Sequence, residues 1–498
     1  MLEIGLEHPR LAALVALITG YILYSTFFDP LRNIPGPFLA RRLPGWLAYQ
    51  AFTCNTETAI LEVHAKYGDV VRVGPNTVLA GSAEAVPKVL GYGEHYLDKG
   101  SDYNALVFHT PSIFSEVDKS IHSRKRRIAA HAYSMQSLMR MEDLVLENVA
   151  IFLHQMDQFA RSGETMDAAE WFKFYAFDVI GDLAFGKSFG LLKRGVTGEF
   201  VTHISSGVEY TFVLFLLPSL LRPLSRFLVK WLPIPLFREL NHGFAYVKKE
   251  TAQLVQERWE KRDDASPQRG DILGALIEAT NPVTKERLGF GDLATNASTN
   301  IVAGSDTITI SLTGILYRLL RNPDKAAKLV AEVRRPSLGD STSFKDVQKL
   351  PYLDGCIKEG MRLTTPFAGP LPRISPRKGF EVAKHYIPPG TIVNVMQCQI
   401  HMDERIFPEP HTFQPERWFE DSGGRDLDKY FLGFSTGPRS CIGKNIAILE
   451  MKLLLYSLFR RYDLSLSPTT SNLRCLRLLV TKPLSPVLVN IRPAAPVE

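Results

Sequence analysis

The residues able to do chemistry in this 498-residue chain gather in three places. Near the C-terminus, Phe434-Ser435-Thr436-Gly437-Pro438-Arg439-Ser440-Cys441-Ile442-Gly443 sets one cysteine among turn-forming residues. Ile446, Leu449, Leu453 and Tyr456 then recur at helical spacing, so Cys441 is presented from a loop just where a helix begins. Free amides at a helix N-terminus and the guanidinium of Arg439 are expected to favour the thiolate, the form that ligates metals. No second Cys or His follows at zinc-site spacing, so a lone thiolate fits the axial ligand of a haem iron, the alternative being an inert buried thiol. Upstream, Ala303-Gly304-Ser305-Asp306-Thr307 puts a glycine, a carboxylate and a hydroxyl in one helical turn, where the glycine alone costs about 1 kcal/mol relative to alanine. Such a cost implies a use, with Ser/Thr back-bonding that merely bends the helix as the other reading. Third, Glu359 and Arg362 stand three apart, worth only about 0.3–0.5 kcal/mol as a surface pair, and Arg417 lies between aromatics in Phe413-Gln414-Pro415-Glu416-Arg417-Trp418.

The elements that must position these groups follow from periodicity. One long helix is expected from about Asp292, as its cap, to Arg321, stopping before Asn322-Pro323. Helical spacing dominates from Met135 to Ala279, interrupted by the apolar run Tyr210–Pro218, which is too short to span a membrane and reads either as a dip into a lipid surface or as core. Val70–Ala80 reads as two short strands around a turn. Arg124-Lys125-Arg126-Arg127 opens a further helix with a basic face, and Lys261–Gly270 is a polar surface loop. Leu11–Phe28 is almost wholly apolar and would span roughly 27 Å. It reads as a membrane anchor (residues 1–29), with a cleaved signal peptide and a buried soluble helix as rivals. Arg32, Arg41 and Arg42 after the span put the remaining chain, 30–498, in the cytosol as one large domain.

Composition narrows the classes. Hydrophobic residues at 45% and charged ones at 22% suit a globular core rather than disorder. A net charge of +6 over this length is too mild for a dedicated nucleic-acid binder and suits anionic lipid or an acidic partner. Five scattered cysteines, at 54, 356, 398, 441 and 475, suggest no disulfide framework and a reducing compartment. Gly289-Phe290-Gly291-Asp292-Leu293-Ala294 fits a dinucleotide fingerprint by letter, but no buried strand precedes it, so electrons are expected from another protein.

All five fixed positions of F-x-x-G-x-R-x-C-x-G are met at 434–443, and 303–307 fits A-G-x-[DE]-T, with Ile308 departing from the final Thr/Ser. On these residues the chain resembles the cytochrome P450 family of haem-thiolate enzymes, in the layout of fungal microsomal members, from the anchor to about Pro493. The resemblance implies a mainly α fold with small β-sheets, holding haem b (iron protoporphyrin IX) between a long distal helix and a proximal Cys loop. Cys441 would be the metal ligand, with Phe434, Arg439 and Gly443 around it. Arg126, His122 (where tryptophan is commonest) and Arg373 would meet the propionates. Gly304 would leave room for dioxygen, Thr307 would hold water beside it, and Asp306 would relay protons. Glu359, Arg362 and Arg417 would form a buried structural triad. Pro30–Pro37 would be a proline hinge, or a simple loop, and Ser101–Val117 a loop over the haem whose Tyr103, Phe108 and Phe114 line the pocket or the surface. The implied activity is monooxygenation of a lipophilic small molecule, with Phe114, Phe212 and Phe367 near it. Oxygen would come from O2 and electrons from an NADPH-cytochrome reductase, at the endoplasmic reticulum membrane in contact with lipid and without nucleic acid. A fungal secondary metabolite (terpenoid, polyketide or alkaloid) is the expected substrate. Other readings are a haem-thiolate isomerase or dehydratase that needs no reductase, and a non-enzymatic haem carrier or sensor.

Overall fold

The computed structural model describes residues 9–93, 96–217, 222, 235–261, 270–338, 343–419, 426–470 and 472–495. The polar stretch 261–270 therefore falls largely outside the described residues, as does Pro218. The apolar N-terminal run forms helix α1 (Pro9–Phe27), whose Arg10–Phe27 portion is long and apolar enough to cross a membrane and is scarcely covered by protein. Its exit is tied to the body. The Asp29 carboxylate accepts from the buried Arg72 guanidinium at 2.6 Å and from the Leu31 amide at 2.8 Å. The Arg72 amide donates to the Pro35 carbonyl at 2.7 Å, so the proline stretch lies along the first strand.

Val70–Ala80 folds as expected into β1 (Val70–Gly74) and β2 (Thr77–Ala80), an antiparallel pair. After β3 (Asp98–Lys99) and a tight turn of helix at Ser101–Leu106, Tyr103 and Phe108 are buried rather than on the surface. Helix α2 (Lys119–Ala129) starts earlier than its basic run suggests, because the Asp118 carboxylate caps it through the Ser120 and Ile121 amides. The basic run is consequently in mid-helix, with Lys125 buried against Asp292 at 2.9 Å and Glu116 at 3.7 Å.

The helical body comprises α3 (Glu142–Ser162), α4 (Ala168–Phe185), α5 (Glu199–Leu216), α6 (Pro235–Glu260) and α7 (Phe290–Arg321). The apolar run from Tyr210 does not interrupt helical structure: it is the C-terminal half of α5, and Tyr210, Phe212, Leu214 and Phe215 are buried in the core rather than turned to lipid. Helix α7 ends at Arg321 as expected, but Asp292 is not its cap. Gly289 holds that position, and the Asp292 carboxylate instead takes the Lys125 ammonium and the Thr110 hydroxyl, a long-range tie that local sequence rules do not anticipate.

Helix α8 (Pro351–Leu363) precedes β4 (Arg373–Ile374) and β5 (Ile392–Asn394), which complete a five-stranded sheet in the order β1-β2-β5-β4-β3. Helix α9 (Lys444–Arg461) follows the cysteine loop, burying Ile446, Leu449, Leu453 and Tyr456. A hairpin of β6 (Cys475–Arg477) and β7 (Thr481–Pro483) lies near the C-terminus, where Thr481 bonds the Thr365 carbonyl at 2.6 Å.

The expected triad is assembled in the core. Glu359, unexposed on α8, accepts from Arg362 at 3.0 and 2.8 Å, from Arg417 at 3.1 Å, from the Trp418 indole at 3.0 Å and from the Gln414 amide at 3.1 Å. Arg362 passes the tie onward to the His401 carbonyl at 2.7 Å. Removing one partner of such a buried cluster leaves charge inadequately compensated, so Arg417→Ala should lower unfolding free energy by about 3–5 kcal/mol in denaturant titrations. A loss below about 1 kcal/mol, the scale of exposed pairs, would contradict burial as the source of the triad's strength.

Candidate active site

The cysteine loop is built by unusual backbone. Ser435 and Gly437 both adopt positive φ, 55° and 74°. A Cβ at Gly437 would sit 1.8 Å from the Leu90 carbonyl oxygen, so only glycine fits there. The Cys441 amide closes the turn by donating to the Phe434 carbonyl at 2.9 Å. Phe434 is buried beneath the loop, edge-on to Phe431, and Gly443 caps α9 beside Cys441. The Cys441 residue is accessible, yet the protein around its sulfur desolvates it and pushes the thiol above its ordinary value, against the opposing pull of the Gly443 amide, Arg126 and Lys444. Arg439 does not serve the thiolate as its spacing suggested. Its guanidinium turns away and donates to the Glu116 and Val117 carbonyls at 2.6 and 3.1 Å, while its Nε is buried with no partner among the described residues.

Arg439 belongs instead to a group of basic side chains. Arg126 reaches from α2 to the Ser440 carbonyl at 2.8 Å, next to the cysteine. Arg373 is buried on β4 and bonds the Tyr103 hydroxyl at 3.0 Å. Lys99, also buried, donates to the Phe114 carbonyl and lies 3.9 Å from the Tyr103 ring centroid. His122 is buried on α2 with Nδ1 3.3 Å from the Tyr96 hydroxyl. Burial first, then the charges of Arg439, Lys99, Arg126 and Arg373, push His122 down to about 3. Burial likewise drives Lys99 well below its usual value, helped by Arg373 and Arg439 and opposed by Glu116. Lys99 and Arg373 stand directly opposite in the antiparallel β3/β4 pair, a like-charge arrangement that destabilises a sheet unless an anion lies between. Sequence reasoning found Arg126, His122, Arg373 and Arg439 but missed Lys99, because nothing in Asp98-Lys99-Gly100 distinguishes a buried lysine from a surface one.

On the other side, α7 presents its small, polar turn. Tyr133 bridges the two halves, donating to Asn300 of α7 at 2.9 Å and accepting at its carbonyl from Asn445 of α9 at 3.3 Å. Ala303 is exposed within this otherwise largely buried helix. The Thr307 hydroxyl donates to the Ala303 carbonyl at 2.5 Å, which leaves its oxygen lone pairs able to accept a further bond. Gly304 departs from expectation: the space its missing Cβ leaves is taken by Ile180 of α4, which a Cβ would approach to 2.9 Å. The glycine thus permits helix packing and does not make room for a ligand. Asp306 is paired with Lys482 of β7 at 3.4 Å. Phe114 meets Phe367 edge-on at 6.1 Å and Tyr103 meets Phe215 of α5 at 5.4 Å, while Phe212 is buried on the same helix.

The family model described as Cytochrome P450 matches residues 42–489. The chain belongs to the cytochrome P450 family. Curated relatives agree. A cytochrome P450 monooxygenase, BOT4, of Botryotinia fuckeliana is 30% identical over 89% of this chain and 82% of that protein. A trichothecene C-4 hydroxylase of Trichoderma arundinaceum is 31% identical over 93% and 92%. A benzoate 4-monooxygenase, bphA, of Aspergillus niger is 31% identical over 90% and 91%. The crystal structure of a cytochrome P450DA heme domain shares the fold with a TM-score of 0.79 at 20% identity, over 93% of this chain and 98% of that one. This cytochrome P450 is accordingly a monooxygenase with a haem-thiolate cofactor, an enzyme class that draws electrons from a redox partner. Its residues fit that group, since one accessible thiol lies beside buried basic side chains, a guanidinium Nε with no partner among the described residues, and a Lys99–Arg373 strand pair whose basic groups the two carboxylates of a porphyrin would favour in their charged forms. When bound, the haem supplies the redox chemistry that activates dioxygen.

A buried histidine that sequence reasoning did not single out holds the loop's approach. His401 Nε2 accepts the Leu432 amide at 2.9 Å. Burial, with Arg362 adding repulsion, pushes its value down to about 3 from the ordinary 6.5. A histidine neutral when folded and protonated when unfolded contributes stability that is present above pH 6.5 and lost as pH falls toward 3. Between pH 6.5 and 5 the wild type should lose about 2 kcal/mol more than His401→Gln, whose amide oxygen accepts the same bond without titrating, in denaturant titrations across that range. Parallel losses in the two proteins would count against a neutral buried His401.

Proposed function

We infer that this monooxygenase inserts one oxygen atom from O2 into a lipophilic small molecule and tailors a fungal secondary metabolite. The observation that carries the reading is the accessible Cys441 on a tightly turned loop, set beside the basic side chains of Arg126, Arg439, Arg373 and Lys99. In this reading haem b is the cofactor. Cys441 is the iron ligand, Phe434 and Gly443 shape its loop, and Arg126, His122, Arg373, Arg439 and Lys99 hold the propionates. Phe114, Phe367, Tyr103 and Phe215 offer an apolar, aromatic wall to a substrate, and the name of the trichothecene C-4 hydroxylase relative agrees with a polycyclic, lipophilic class. Helix α1 anchors the enzyme in the endoplasmic reticulum membrane with its body in the cytosol and in contact with lipid, and NADPH-cytochrome reductase supplies the electrons.

The chain's own part in turnover is positioning and proton handling. The aromatic wall keeps water from the reacting carbon. Thr307, committed as a donor to Ala303, accepts a hydrogen bond from a water and so fixes where a proton can be delivered. Asp306, one residue earlier, supplies protons to that water from the outer side of α7. Reconstitution with reductase, NADPH and a panel of lipophilic candidates should give substrate-induced shifts of the haem band followed by oxygenated product. Product formation without NADPH would favour an isomerase instead.

Cys441→Ser should lose the red-shifted carbon-monoxide band of thiolate-ligated haem, because a neutral hydroxyl cannot replace the thiolate's electron donation. Retention of that band would sink the ligand assignment. In Thr307→Ala, haem content and substrate affinity should stay near wild type while product per NADPH falls by about tenfold, with hydrogen peroxide appearing in its place. An unchanged ratio would remove Thr307 from proton delivery.

A further inference from the structure

One ammonium joins three elements beside the proposed acid. Lys482 of β7 lies 3.4 Å from the Asp306 carboxylate of α7 and 3.0 Å from the Glu209 carboxylate of α5. The Lys482 and Asp306 side chains are only 19% and 14% exposed, so water screens their pairing weakly. Burial alone would depress Lys482, yet Asp306 and Glu209 together hold it above its ordinary value, as a cation. Lys173 of α4 acts electrostatically on the same group, attracted by Asp306 and repelled by Lys482. An oxygen of Asp306 is thus turned to the hairpin, while its neighbour Thr307 is committed to the carbonyl of the exposed Ala303.

We propose that Lys482 is a positioning residue that keeps Asp306 on the hairpin side of α7, so that proton delivery at Thr307 waits on release of this ion pair, with Glu209 competing for the same ammonium. The inference rests on Asp306 being the proton-relaying acid. Because Glu209 rides on α5, which also carries Phe212 and Phe215, a substrate that draws α5 toward the hairpin strengthens Lys482–Glu209 and loosens Asp306. A substrate that lifts α5 leaves the ammonium to Asp306 alone. Occupancy of the aromatic pocket is in this way coupled to proton supply through one side chain.

The test uses the full-length, haem-loaded enzyme as wild type, Lys482→Met, Lys482→Arg, Glu209→Gln, Asp306→Asn and the Lys482→Met/Asp306→Asn double variant. Amide hydrogen exchange, which does not depend on turnover, should quicken severalfold over 475–483 and 199–216 in Lys482→Met and return to wild type in Lys482→Arg. The solvent deuterium isotope effect on kcat should fall at least about twofold toward unity in Lys482→Met and rise in Glu209→Gln, since the first frees the acid and the second ties it more firmly. In the Asp306→Asn background, Lys482→Met should add nothing further to the isotope effect. Unchanged exchange in Lys482→Met, or an equal isotope effect of that substitution with and without Asp306, overturns the proposal alone. Wild-type product per NADPH in Asp306→Asn overturns the relay reading, and the proposal with it.

Discussion

The buried carboxylate of Glu359 is the constraint on which the proximal half of this enzyme depends. It receives N–H groups from α8, from the 414–418 segment and from an indole, so that segments far apart in the chain are fixed to one point. An isolated buried charge costs several kcal/mol, and the cluster is tolerable only because each oxygen meets more than one donor. From there Arg362 reaches the His401 carbonyl, and the His401 ring takes the Leu432 amide two residues before Phe434. A chain of polar contacts thereby runs from the middle of α8 to the start of the cysteine loop. The loop itself stores positive-φ backbone at Ser435 and Gly437 and needs such support to keep one shape.

The distal side solves a different problem. Helix α7 is rich in hydroxyls yet passes through the core. Ser298, Ser305, Thr307, Thr309, Ser311 and Thr313 each donate to the carbonyl four residues back, at 2.5–2.9 Å. Back-bonding gives each of these groups a partner within the helix, Ser298 also meeting Thr251 at 2.7 Å, which lets a polar helix be buried. The reading of Thr307 as a back-bonded hydroxyl and its reading as a water-holding group are therefore compatible, because a hydroxyl that donates to its own helix still accepts from elsewhere.

Charge is distributed unevenly between the two sides. Around the cysteine loop, basic groups crowd together, and burial drives Lys99 and His122 away from their charged forms. Beside α7, acids and base alternate as Glu209, Lys482 and Asp306. The first arrangement gathers basic side chains around one loop, whereas the second pairs two carboxylates with the same ammonium.

What the sequence by itself determined is whatever short-range pattern encodes. The loop-then-helix placement of Cys441, the two strands at 70–80, the long α7 and the acid-hydroxyl turn within it were all legible, because turn residues and apolar periodicity act over a few positions. The Glu359 triad was legible only through its resemblance to a known pattern, since nothing local joins residues 359 and 417. Tertiary structure decided the rest. Arg439 turns from the sulfur to two carbonyls, Gly304 admits Ile180, Asp292 gives up its cap for Lys125, and the apolar half of α5 enters the core. The surroundings of Lys99, His401 and Lys482 were decided in the same way, for a side chain's charge state and partners depend on burial and on neighbours far away in the chain, which no local spacing records.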